Sequence, residues 1–164
     1  MNINILKIAR CGKVSTPEKE TLTYNIGHEA DEYYFRVTDN DGGGFFSTEW
    51  LNLKDMLECV PEDKPFNAAI FAPLFKNKSA NNAGFIAATL KAESLLIPHK
   101  ETKRLHTLGD VLAFTKAMEK LVKSKVSLPD IVAEREAEKA AKLKALAEKL
   151  SKAQAKSKNP TEDK

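Results

Sequence analysis

Apolar and polar residues alternate over the early part of the chain. Ile3, Ile5 and the Leu6/Ile8 pair predict a strand running to about Cys11, where Gly12 breaks it. After a polar loop from Ser15 to Glu20, Leu22, Tyr24 and Ile26 recur at period two and predict a second, half-buried strand. A third strand is expected over Tyr33–Thr38, with Tyr33, Phe35 and Val37 on one face. The connections are too short for crossover helices, so the three strands read as an antiparallel meander.

The period then changes. Ser47 is a candidate N-cap with Glu49 in the first turn. Trp50, Leu53, Leu57 and Val60, joined by Met56, take helical spacing to about Cys59. Pro61 and Pro65 end this helix. Phe66, Ala68, Ile70 and Leu74 alternate and predict an edge strand, because Pro73 cannot donate to a ladder. Phe85–Ile97 reads as a long strand. Thr107 is a candidate cap for a helix with Asp110 three residues on, and Leu108, Val111, Leu112, Thr115, Met118 and Val122 form its apolar stripe. The order strands–helix–strands–helix suggests a pseudo-repeat whose residues do not match.

Pro129 opens the last element, rich in Ala, Glu, Lys and Leu from Ile131 to about Lys156. Leu143, Leu146, Leu150 and Ala153 keep 3,4,3 spacing, a seam of under two heptads that reads as an interaction helix or as a solvated single helix. The expected fold class is therefore α+β. An antiparallel sheet of about five strands with two packed helices fills residues 1–126, a charged helical extension follows over 127–158, and a disordered tail over 159–164.

Composition narrows the class. The chain has 164 residues, 42% hydrophobic and 30% charged, which suits one ordinary domain with an appendage. Two cysteines, Cys11 and Cys59, make no disulfide framework and predict reduced thiols in a cytoplasmic protein. No apolar run approaches the roughly 18–20 residues of a membrane span, and Lys7 interrupts the first apolar stretch, so neither a membrane partner nor a signal peptide is expected.

The net charge of +3 hides an asymmetry of −6 over residues 1–63, +7 over 64–128 and +2 over 129–164. Either the basic middle pairs with the acidic first half, or it turns a basic face toward an anionic partner, DNA or RNA. Lys100, Lys103, Arg104, Lys116, Lys120 and Lys123 are the candidate contacts, the last three on one helix face by i+4 and i+3 spacing.

Other chemistry finds no support. Counted from Asp39 as a calcium loop, position 5 is Gly43 and position 12 is Trp50, so the pattern fails. Gly42–Gly44 lack Walker spacing and stand beside Asp39 and Asp41, and read as a turn. His28, His99 and His106 show no ligand spacing, and no catalytic nucleophile motif occurs, so no metal, cofactor or catalytic residue is assigned. Tyr33, Tyr34, Phe35, Phe45, Phe46 and Trp50 cluster around Arg36, either as core or as a base-stacking platform.

The repeated order of strands then helix resembles, at the level of topology, the positive cofactor 4-like and Whirly group of single-strand binders. The stretch Phe35–Trp50 (FRVTDNDGGGFFSTEW), with the overall length, resembles small early-region proteins of lambdoid prophages, of the YfdN type. That resemblance implies a bacterial cytoplasm and a phage context, and brings no catalytic residues. Two readings follow. One is a non-enzymatic prophage accessory protein contacting nucleic acid through the basic region, in replication or recombination. The other is an interaction module that dimerises, or binds a host or phage protein, through Leu143, Leu146 and Leu150.

Overall fold

The computed structural model describes residues 1–158, so the expectation for 159–164 falls outside the described residues. Strands β1 (Asn4–Gly12), β2 (Thr21–Glu29), β3 (Glu32–Asn40) and the short β4 (Leu51–Asn52) form one antiparallel sheet in sequence order. The expected meander is present. Ala30 and Asp31 both take positive φ, 49° and 64°, closing β2 onto β3 through a two-residue turn of the kind whose twist matches the strands. A bulge between Ile5 and Lys7 inserts Leu6, so Ile5 and Leu6 are both buried although they are neighbours. A second bulge inserts Thr38 into β3, opposite the Thr23–Tyr24 step of β2.

The inner sheet face supplies Tyr24, Ile26 and Phe35 to one core with Leu6, Met56, Phe71, Ile86, Leu90, Leu96, Phe114 and Met118. The helices over it are α1 (Leu53–Glu58), α2 (Asn81–Ala92) and α3 (Val111–Lys123), with a 3-10 helix at Ala68–Leu74.

Several expectations change here. The first helix starts at Leu53, not near Ser47, because Asn52 caps it by accepting from the Lys54 N–H at 2.8 Å. Ser47 through Trp50 run without regular structure, and Leu51–Asn52 pair with β3. The strand expected at 66–74 is the 3-10 helix, capped by the Asn67 side chain on the Ala69 N–H, and only Phe66 makes a β-bridge, to His106. The strand expected over Phe85–Ile97 is α2 followed by β5 (Leu96–Pro98), which pairs with β6 (His106–Leu108) in a separate two-stranded sheet. Buried nearly all round, α2 lacks the one-sided stripe that marks a helix, and its apolar run of Phe85 to Ala88 looks like a core strand. The pseudo-repeat therefore fails.

Thr107 lies in β6, and Asp110 caps α3 instead, accepting from the Ala113 N–H at 2.9 Å. The face of α3 turned inward carries Phe114 and Met118, while Leu112, expected in the stripe, is 63% exposed.

The chain divides into two compact units, Met1–Pro129 and a second that begins at Asp130. Residues 126–128 are tied to β1: Leu128 donates its N–H to Ile5 O at 2.9 Å, and Asn4 Nδ2 donates to Val126 O at 2.7 Å. The second unit is helix α4 (Ile131–Ser157), capped by Asp130 on the Ala133 N–H. Leu143, Leu146 and Leu150 are exposed on it by 67%, 54% and 56%.

Candidate nucleic-acid interface

Residues 99–105 link β5 to β6. The loop closes on itself through His99 N–H to Leu105 O at 2.8 Å and Leu105 N–H to Thr102 O at 2.9 Å. Lys100, Lys103 and Arg104 are exposed on it, with Glu101 as its single carboxylate. Lys103 and Arg104 line a groove of about 830 Å³, whose other walls include Lys13, Asn67, the N-cap Ala80 and the start of α2 at Asn81 and Phe85.

Lys13 is the cation that sequence reading missed. It is only 6% exposed, with Nζ 2.8 Å from Glu20 Oε2 and 5.0 Å from the centre of the Phe85 ring. Bonds from Lys13 and then from Thr16 hold the Glu20 carboxyl below its ordinary range. No sequence signal marks this lysine, because its burial comes from a helix that lies far along the chain. The N-cap of α2 is Ala80, which brings no side-chain acceptor, and Ser79 takes the first free donors instead, accepting from the Asn81 N–H through Oγ at 3.3 Å and from the Asn82 N–H through its carbonyl at 3.2 Å. A Cβ at Gly84 would meet nothing within 4 Å, so the groove wall is open there.

Lys116, Lys120 and Lys123 are exposed on α3, on the side away from Phe114 and Met118. Lys123 lines a different cleft, of about 360 Å³, with His28, Asp31, Tyr33 and Glu119. The two clefts sit at opposite ends of the β1–β2 ladder, one beyond Gly12↔Thr21 and the other at Asn4↔His28. Eight residue steps at about 3.3 Å put roughly 26 Å between them. The structure thus joins Lys103 and Arg104 to Lys13 and sets the α3 lysines apart.

The aromatic cluster is divided. Phe35 and Tyr33 pack against Phe114, with centroids at 5.7 and 5.9 Å, the Tyr34 hydroxyl donates to Glu32, and Phe46 joins Leu22, Val37 and Phe85. Phe45 alone stands out, 87% exposed after Gly43 and Gly44, which take the positive φ expected of that turn. Trp50 lies over Arg36, so the six rings are not gathered on one face.

Burial, and then the nearby Glu93 carboxylate, push the Cys11 thiol up to about 11, and burial raises that of Cys59, which disfavours the thiolate at both. Among the described residues, no three His, Cys, Asp or Glu side chains gather as metal ligands would, and no helix is long and apolar enough to cross a membrane. His106 is fully buried in β6. No family model, curated protein or solved structure matches the chain.

Proposed function

We propose that this chain is a non-enzymatic accessory protein that contacts nucleic acid through the 99–105 loop and the groove beneath it. One observation carries the reading. Among the described residues, Lys78, bound to Glu49, is the one cation of the basic middle in an ion pair, so that charge is left facing solvent rather than neutralised by the acidic first half. Lys103 and Arg104 are exposed on one wall of the groove, where they can follow a phosphate backbone. A bacterial cytoplasm and a phage replication or recombination setting rest on the resemblance of residues 35–50 alone.

Anisotropy of a labelled mixed-sequence oligonucleotide tests it. Affinity falls with log salt by about −0.7 per phosphate contact on a single strand. Reversing Lys100, Lys103 and Arg104 to Glu abolishes binding, while reversing Lys116, Lys120 and Lys123 leaves most of it. A parent chain that binds nothing at about 50 mM salt, where such contacts are strong, ends the reading.

A further inference from the structure

Helix α4 presents an apolar stripe, and the charge beside it is lopsided. On a 3.6-residue helix Leu146, Leu150, Leu143 and Ala153 fall within one narrow face. Lys142, Lys149 and Lys156 repeat every seven residues along one edge of that face, and Ala140, Ala147 and Gln154 occupy the other edge. Glu138 precedes Lys142 by one turn, but neither Lys149 nor Lys156 has a carboxylate three or four residues away. None of the three lysines makes an ion pair among the described residues.

A second copy fits this face poorly. Antiparallel pairing sets Lys142 and Lys149 of one helix against those of the other, which is repulsive. Parallel pairing sets them against Ala147 and Gln154, which leaves every lysine without a counter-charge. Three leucines and an alanine also fall short of the three or four heptads that hold a helix pair together on their own.

We infer that the Leu143–Leu146–Leu150 face docks an amphipathic helix of another protein whose apolar stripe is edged by Glu or Asp. The partner's carboxylates take up Lys142, Lys149 and Lys156, and its apolar residues cover the leucines. Charge sets the partner and the register, and apolar burial sets the affinity.

The test uses the full chain and two synthetic helical peptides of about four heptads, with identical leucine cores and either Glu or Lys at the flanking positions. Anisotropy of the labelled peptides is expected to show the Glu peptide binding at least about tenfold tighter than the Lys peptide, roughly 1.4 kcal/mol. The triple change Lys142→Glu, Lys149→Glu, Lys156→Glu inverts that preference, and Leu146→Asp with Leu150→Asp removes binding of both. Lys149→Gln gives a partial loss without charge reversal, and far-UV circular dichroism reports whether each variant keeps its helix. Equal binding of the two peptides, or binding that survives the leucine changes, overturns the inference. So does a dimer in sedimentation equilibrium that Leu146→Asp dissolves, and so does a leucine-dependent preference for an oligonucleotide over the Glu peptide.

Discussion

The guanidinium carbon of Arg36 lies 4.1 Å from the centre of the Trp50 ring, on the sheet face opposite Phe35. Trp50 reaches that face because residues 47–50 stay outside any helix, and it crosses Gly27, where a Cβ would come within 3.0 Å of the ring and 2.2 Å of the Ile3 side chain. The indole covers an arginine that is only 5% exposed.

Trp50→Ala is therefore expected to cost about 2 kcal/mol, less than a fully buried tryptophan because the ring is half-buried. Gly27→Ala is expected to cost about 1–2 kcal/mol by overpacking the same contact. Trp50 is the only tryptophan, so its fluorescence in a urea titration of Gly27→Ala reads both the loss and the shifted ring.

His106 is fully buried in β6, and neither ring nitrogen has a hydrogen-bond partner among the described residues. Burial, then the Lys91 ammonium, lowers its pKa below the usual histidine value. The unfolded chain thus takes up the proton first. Stability contributed by neutral His106 is present above about pH 6.5 and is lost as pH falls through the lowered folded value. His106→Leu removes this acid-side slope and, by deleting two unpaired polar atoms, is expected to add about 1 kcal/mol at pH 7. Denaturant midpoints between pH 5 and 8 check both; parallel profiles for the two chains refute the assignment.

Ala30 and Asp31 occupy left-handed backbone, which costs an L-residue roughly 1 kcal/mol relative to glycine or asparagine. Replacing the pair by Asn-Gly is expected to raise stability by about 1–2 kcal/mol without moving the register of Glu29 against Glu32. A rise in the thermal midpoint with an unchanged far-UV spectrum is the outcome sought.

A chain ending at Pro129 is expected to unfold cooperatively. A chain ending at Lys125 loses the Leu128–Ile5 and Asn4–Val126 hydrogen bonds and is expected to be about 1–2 kcal/mol less stable. Calorimetry of the two truncations separates them.

The meander was legible because each strand shows its inner face to a core and its alternate residues elsewhere, so Leu22, Tyr24 and Ile26 announce themselves. Helix α2 was not, since burial on nearly every side erases the period that marks a helix. Trp50 was drawn into a helical spacing that a local cap, Asn52, cuts short. The site divides the same way. Charge density singled out Lys103 and Arg104, but the groove that joins them to Lys13 is made by contacts remote in sequence, which composition does not record.

Helix α2 also sets where this chain is free to drift. Asn82, Ala83 and every residue from Phe85 to Leu90 are enclosed, and Ala83, Ala87 and Ala88 leave no room for a larger side chain without a matching loss opposite. Substitutions there need compensation from the residues opposite if the fold is to hold, whereas exposed positions of α4 and of the 99–105 loop can change singly without disturbing a core, whatever they do to binding.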